Sequence, residues 1–341
     1  MTVTTVIRRP LAAIALLAAA ALLASACSTG PSQVGAALIV GDTVVSVNQI
    51  QRELSDVLAT QTAAQQAQQQ GKLDEASRTL VTGHVLHLLI NQAESRYGLS
   101  VSDQQVDQLI TQVGGSDKAA SALFTDSANV RDTVRDVLLE VALARKFADT
   151  LNVNIGYVVV PDRASAVAAA QKLAANPGAI NGMVAAANAA GAASGQGGGS
   201  TSMPFSVSTY LKGVAQAQQQ AQAQGQPAPT QNLAPVFGAP AGSVLAFQPD
   251  PANTPSWIVA LIRSRDAGSG IPAASGTSAA DVADLGTLQT VGVNLLQPTA
   301  NDVGVRVSPR YGQWNSATMS VLATNDQTAG VELPVHAPIQ P

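Results

Sequence analysis

Residues 37–46 read ALIVGDTVVS, and this stretch decides how the fold begins. Two short runs of β-prone residues, Ala37–Val40 and Thr43–Val45, lie on either side of a Gly-Asp pair. Glycine tolerates the positive φ that a two-residue turn needs, so the stretch predicts a tight β-hairpin. Ser46 is followed three residues later by Gln49, which is the spacing of a capping box and predicts that a helix begins there.

The residues after this hairpin show the spacing of amphipathic helices. Apolar residues recur every three or four positions, which is the period of a helix with one buried face. Gly98 and the pair Gly114-Gly115 stand where such runs stop, as glycine commonly does after a helix. The Gln- and Ala-rich stretch 61–70 favours either a solvated helical extension or a disordered segment. Helices are predicted from residue 46, over residues 74–97, from 103 to 113 and over 129–151.

The pattern changes in the middle of the chain. Ile155–Val160 (IGYVVV) and Ser256–Arg263 (SWIVALIR) are apolar runs with the length of buried strands. The sequence between them predicts helices over 162–175 and 180–190, a flexible glycine-rich loop over 194–202 and an exposed Gln/Ala/Pro insertion over 216–229. This middle region is therefore predicted to be α+β.

The C-terminal part is predicted to return to the start of the fold. A linker at 267–278 precedes a last helix at 279–296, which ends before a proline, and residues 303–307 alternate like a strand. We expect this strand to pair with the N-terminal hairpin, so that residues 279–315 complete the helical domain. The polar, Pro-rich composition of residues 323–341 predicts a mobile tail.

The first residues have the three parts of a secretory signal peptide. Arg8-Arg9 precede an apolar run over residues 11–23, which ends in LASAC at Cys27, the one cysteine in the sequence. The run is shorter than the roughly 20 residues that a membrane-spanning helix needs. The small residues before Cys27 resemble the lipobox of bacterial lipoproteins. That resemblance implies cleavage between Ala26 and Cys27 and a diacylglyceryl anchor, with palmitate-type chains, on the Cys27 thiol.

The predicted location is therefore the extracytoplasmic face of the cell membrane, where two acyl chains suffice for stable anchoring. Residues 1–26 would be the signal peptide, and residues 27–36 the lipidated cysteine and a polar tether. The alternatives are an ordinary transmembrane helix and plain secretion with a free Cys27 thiol.

Composition excludes some functions. The chain has 18 Lys and Arg against 22 Asp and Glu, and without residues 1–26, which hold two arginines and no acid, the net charge changes from −4 to −6. Nucleic-acid binding needs clustered cations that neutralise phosphates, so we expect no nucleic-acid partner. Hydrophobic residues make up 46% of the chain but aromatic residues only 3%, so we expect a thin core of Leu, Val and Ile.

The order of elements resembles a known family. The hairpin 38–45 with its capped helix, the junction Tyr97–Ser102 and the helix 130–151 are similar to the N-terminal chaperone domain of SurA. The resemblance implies a mostly helical α+β protein: a SurA-type chaperone domain at 37–151 with an N-terminal β-hairpin, and a small inserted α+β domain at 152–266.

The inserted region resembles a parvulin-type prolyl isomerase. A first strand leads to two helices, then to Gly197–Gly199 and to a Phe-x-x-x-x-Gly-x-Val segment formed by Phe237, Gly242 and Val244. Parvulins carry a histidine on the first strand and another on the last strand. Tyr157 and Ile258 stand at those positions here, so the resemblance implies a degenerate module without catalytic residues.

The expected function follows from this resemblance. The chain would be a lipid-anchored chaperone that holds unfolded or extended secreted polypeptides, touches the membrane through its lipid, and needs no cofactor. The alternatives are an active prolyl isomerase of the PrsA type and an assembly lipoprotein with one dedicated partner.

Two histidines on one helix are candidate metal ligands. His84 and His87 share one helix face, and Glu94 adds a carboxylate on the same helix. Zinc would want another His or Cys nearby, and none is evident, so two surface imidazoles are the preferred interpretation and no metal is expected.

Overall fold

The structure is a computed structural model that describes residues 34–194, 198–228, 230–268 and 278–336. The predicted signal peptide, Cys27, most of the tether and most of the linker lie outside these ranges. The described part is α+β and mostly helical, as the sequence predicts. No helix within these ranges is long and apolar enough to cross a lipid bilayer.

The N-terminal part forms the predicted hairpin and helices. Ser46 caps the first helix by accepting a hydrogen bond from the Gln49 backbone N–H at 3.1 Å. The reciprocal bond of a capping box is not formed, because the Gln49 side chain donates to Glu53. Gly98 ends the long third helix with a φ of 61°, as expected for a glycine after a helix. The elements are β1 (Ala36–Val40), β2 (Thr43–Ser46), α1 (Val47–Thr60), α2 (Thr62–Gln69), α3 (Leu73–Tyr97), α4 (Asp103–Gln112), α5 (Ser116–Leu123) and α6 (Val130–Phe147).

The middle of the chain forms an antiparallel sheet covered by helices. Its elements are β3 (Asn152–Val160), α7 (Arg163–Ala175), a short 3-10 turn (Pro177–Ala179), α8 (Ile180–Ser194), β4 (Gly199–Ser206), α9 (Val207–Ala223), α10 (Pro235–Gly238), β5 (Ser243–Phe247) and β6 (Trp257–Asp266). Val158 and Val259 face α7 and α8 in one apolar cluster, whereas Ile155 and Ile262 face the larger core on the other side of the sheet.

One prediction for this region is wrong. The glycine-rich stretch over 194–202 is not a loop throughout, because residues from 199 onward form β4 against β3. Glycine is needed there, since a Cβ on Gly199 would overlap the carbonyl oxygen of Tyr157. The tract over 216–228 is mostly exposed, as its composition predicts, although it is helical up to Ala223 and Ala221 is buried.

The C-terminal part contains three helices instead of the single one predicted over 279–296. Asp284 accepts a hydrogen bond from the Thr287 backbone N–H at 2.9 Å and so begins a new helix. Pro298 does not end the helical region, because it lies in the first turn of the next helix, where its missing N–H costs nothing. The elements are α11 (Ala279–Val282), α12 (Leu285–Leu295), α13 (Gln297–Val303), β7 (Val305–Val307), β8 (Gln313–Asn315), β9 (Ser320–Leu322) and β10 (Val331–Pro334).

The predicted return of the chain to its N-terminal hairpin is confirmed. β7 pairs antiparallel with β1, with Leu38 opposite Val307 and Val40 opposite Val305. The three-stranded sheet has the order β2-β1-β7, so β1 is its central strand and all five of its residues are buried. The domain boundaries themselves stay predictions.

The predicted mobile tail is wrong for residues 323–336. Val331–Pro334 form β10, which pairs with β5 and gives the larger sheet the order β10-β5-β6-β3-β4. Pro334 fits this position because an edge strand needs no N–H on its outer side. The His336 backbone N–H then donates to the carbonyl of Ala174 at 3.0 Å. A four-residue edge strand in polar sequence carries too little pattern to be predicted.

One large core joins the helical part to the sheet of the middle region. It contains Leu38 and Leu143 from the N-terminal part, Phe247 from the sheet and Leu295 from α12. α12 passes so close to α6 that a Cβ on Gly292 would overlap the carbonyl oxygen of Glu140. The contact between these two helices is therefore a backbone-to-backbone approach that a glycine permits.

A carboxyl group is buried at this crossing. Glu140 is 3% exposed and accepts a hydrogen bond from the Gln289 side chain at 3.1 Å. Burial disfavours its charged form and raises the pKa of Glu140 to about 8, although the hydrogen bond from Gln289 acts in the opposite direction. Glu140 is therefore mostly protonated at neutral pH.

Replacing Glu140 by glutamine tests this burial. A carboxyl with a raised folded-state pKa favours the folded state fully below its unfolded pKa, and this contribution is lost as pH rises through the folded pKa. From pH 4.5 to about 8 the free energy of unfolding of the native chain should therefore fall relative to Glu140→Gln. The total difference should reach roughly 3–5 kcal/mol above that range. Equilibrium urea unfolding at several pH values measures it.

The control is Glu75→Gln, which changes the same chemistry at an exposed position of α3. It should follow the native chain at every pH. Parallel pH profiles for the native chain and Glu140→Gln would contradict the buried, protonated Glu140.

Candidate functional site

A cleft of about 360 Å³ opens in the N-terminal part of the fold. Strand β2 forms one side of it, and helices α1, α3 and α6 contribute the rest, together with the residues that connect α5 to α6. The cleft lies within the helical part and is separate from the sheet of the middle region.

The cleft meets β2 along the strand's free edge. Thr43, Val44 and Val45 all line it, although successive side chains of a strand point to opposite faces. Contact with three consecutive strand residues is the arrangement expected of a cavity that runs along a strand edge. β1 occupies the inner edge of β2, so the cleft lies at the outer edge, which has no strand partner among the described residues.

Apolar side chains cover part of the cleft. Val44 is 43% exposed, and Leu80, Leu88, Leu123 and Phe124 line the helical side. Phe124 has a φ of 49° at the residue that ends α5. This left-handed conformation is uncommon for a bulky residue. An apolar chain segment placed along β2 would thus meet apolar surface as well as backbone groups.

One histidine joins α3 to α1 across the cleft. His84 Nε2 lies 2.6 Å from Glu53 Oε2. Burial opposes ionisation of Glu53, but the hydrogen bonds from His84 and Gln49 and the positive charges nearby outweigh it and lower the pKa of Glu53. Glu53 is therefore a carboxylate at neutral pH.

The second histidine joins α3 to α6. His87 Nδ1 lies 2.7 Å from Asp136 Oδ2, and the Asn91 side chain lies 3.1 Å from the other ring nitrogen. The hydrogen bond to Asp136 raises the pKa of His87 against the opposing effect of burial. Burial also raises the pKa of Asp136, more than His87 lowers it.

The arrangement gives each imidazole its own carboxylate instead of a shared metal ion. His84 and His87 turn towards different helices, and Glu94 is not among the residues that line the cleft. No group of three or more metal-ligating side chains occurs among the described residues. The sequence could show that the histidines share a face, but not which carboxylates they meet.

The two positions at which the sequence resemblance expects histidines lie on neighbouring strands. Tyr157 on β3 is opposite Ala260 on β6, and Ile258 lies two residues before Ala260, so the two side chains share one face of the sheet. Both are partly buried against the large core.

Aromatic rings fill space close to this face. Phe237 is fully buried and stacks on Phe205 with ring centroids 5.2 Å apart, while the Tyr210 ring lies 5.8 Å away. α10 also packs tightly onto α12. The approach is so close that a Cβ on Gly238 would overlap the carbonyl oxygen of Asn294. Sequence analysis assigned Phe237 to a motif, but it missed this three-ring cluster because its members lie far apart in sequence.

Comparisons with known proteins do not assign this chain to a family. No family model matches the chain, and no curated protein matches it. A solved structure of the foldase protein PrsA from Lactococcus lactis matches at 13% sequence identity with a TM-score of 0.26, covering 80% of this chain and 94% of that chain. A TM-score this low carries no argument about fold or function.

The link between His87 and Asp136 makes the contact of α3 with α6 sensitive to pH. A histidine with a raised folded-state pKa stabilises the fold fully below its unfolded pKa of about 6.5, and the effect is lost as pH rises through the raised value. His87→Gln should therefore lose more stability at pH 6 than at pH 8.5. The loss should stay below about 1 kcal/mol, since the imidazole is 40% exposed.

Urea unfolding of the native chain and of His87→Gln at the two pH values measures this difference. His336→Gln is the control, because His336 is exposed and is not among the residues that line the cleft. An equal loss of stability for His87→Gln at both pH values would show that the protonated pair does not stabilise the contact.

Proposed function

We propose that this chain is a lipid-anchored chaperone that holds unfolded secreted and envelope proteins at the extracytoplasmic face of the cell membrane. The observation that carries the proposal is the cleft, which combines a free strand edge with the exposed Val44 and partly buried apolar side chains of the helices. An unfolded polypeptide presents the matching groups, namely unpaired backbone N–H and C=O groups and apolar side chains.

The proposed activity is binding without catalysis. Tyr157 and Ile258 stand where parvulins have histidines, and neither can act as an imidazole would. Phe237, the aromatic residue of the parvulin-like segment, is fully buried against Phe205 and is not available to a proline ring of a client. These observations favour a silent module over an active isomerase.

The proposed anchor rests on the N-terminal sequence. Lipid on the Cys27 thiol would hold the folded part at the membrane surface, with the residues before β1 as a tether. Nothing in this arrangement needs ATP or a metal ion.

Suppression of aggregation tests the holding activity. The full chain in a neutral detergent should suppress light scattering by reduced, unfolded lysozyme at near-stoichiometric ratios. Val44→Gln removes an apolar group at the cleft edge and should raise the amount of protein needed severalfold. Val113→Gln is the matched control, since Val113 is 42% exposed and is not among the cleft-lining residues.

Failure of the native chain to suppress aggregation would contradict the holding activity and favour a lipoprotein with one dedicated partner. The same preparation should leave the cis–trans isomerisation rate of a proline-containing tetrapeptide unchanged. A rate above the spontaneous one would contradict the silent module and favour an active prolyl isomerase.

Replacing Cys27 tests the anchor. The native chain, expressed in a bacterium, should be cleaved before Cys27, carry the mass of a diacylglyceryl group and partition into a detergent phase. Cys27→Ser should lose the added mass and stay in the aqueous phase or uncleaved, because the thiol is the lipid acceptor. A cleaved native chain with an unmodified thiol, detected by mass spectrometry, would instead support plain secretion.

A further inference from the structure

We infer that the cleft takes an extended polypeptide segment rich in Lys or Arg, which adds to the free edge of β2 as a further strand of the three-stranded sheet. This inference rests on the proposed function and names the segment that a client presents. Its basis is the strand edge and the charge of the side chains around it.

The backbone of β2 supplies the docking groups. The four residues Thr43–Ser46 span about 13 Å, which matches a bound segment of four or five residues. The sheet behind β2 is fixed, because β1 is fully buried and is held on its other side by β7. An added strand would therefore extend a rigid sheet, as in other cases of strand addition.

The charge of the cleft selects the side chains of that segment. Glu53 on α1 and Asp132 and Asp136 on α6 line the cleft, and its described lining includes neither Lys nor Arg. Asp132 is exposed, and the remaining charged groups of the lining are the two imidazoles of α3. The two imidazoles pair with Glu53 and Asp136, so the formal charge of the lining runs from −3 with both imidazoles neutral to −1 with both protonated. It is negative in either case, so a cationic side chain is favoured and an anionic one is repelled.

Side chains alternate along the added strand, and this alternation lets one segment use both the strand edge and the negative charge of the cleft. Successive side chains of the added strand point to opposite sides of the sheet, so every second one faces the helices that carry the carboxylates. A segment in which Lys or Arg alternates with apolar residues would place its cations on that side. Val44, the exposed apolar residue of β2, would meet the apolar residues on the other side.

Fluorescence anisotropy with synthetic peptides tests the inference on the full chain in neutral detergent. The main probe is a labelled ten-residue peptide of alternating Lys and Val. Matched peptides carry Glu or Gln in place of Lys, and a fourth carries N-methyl groups on alternate amides of the Lys peptide. The Lys peptide should bind best and weaken as salt is added. The N-methylated peptide should bind at least tenfold more weakly, because it cannot form the backbone hydrogen bonds of a strand.

A pair of charge-reversing variants places the binding site. Asp132→Lys should weaken binding of the Lys peptide by about fivefold to tenfold. Asp56→Lys changes the net charge equally on the exposed part of α1 away from the cleft lining and should bind as the native chain does. Thermal unfolding checks that both variants fold.

The results separate this inference from the proposed function. Equal binding of the Lys and Glu peptides, or of the Lys and N-methylated peptides, would overturn the inference even if the chain suppresses aggregation. Equal effects of Asp132→Lys and Asp56→Lys would overturn the assignment to the cleft. Selective binding of the Lys peptide without suppression of aggregation would support the inference and contradict the chaperone proposal.

Discussion

The close crossing of α12 over α6 is the contact on which the rest of the structure depends. Gly292 lets α12 approach the backbone of Glu140, and Gly238 lets α10 approach α12 from the other side. α12 therefore lies between the helical part and the sheet of the middle region, and both pack onto it. This explains how a chain with many alanines and few aromatic residues builds a large core, because close backbone approach replaces large side chains as the source of dispersion contacts.

The sheet of the middle region and the cleft offer different surfaces. The sheet face with Tyr157 and Ile258 packs against the core, which includes the rings of Phe205 and Phe237. The cleft lies along the N-terminal half of α6, where α3 and β2 leave space. The two positions singled out by sequence thus contribute to packing, whereas the cleft carries the exposed Val44 and charged groups.

The sequence predicted those elements whose local pattern agrees with their final environment. The hairpin, the strands β3 and β6, and the return of β7 to β1 followed from apolar runs and alternation. β4 and α9 were missed because glycine-rich and glutamine-rich compositions usually accompany loops, and in β4 the glycine instead permits a close approach to β3. For the cleft, the shared face of His84 and His87 was visible, whereas Glu53 and Asp136 became their partners only through the packing of three helices.

The C-terminal strands determine when the fold can close. β1 and β5 are made before β7 and β10, which cover one edge of each and lie between residues 305 and 334. Until those residues are made, both sheets keep an open edge that can pair with another chain. Because one short stretch supplies both strands, the two sheets are completed in close succession, and a chain interrupted before residue 305 would expose both edges to association with its neighbours.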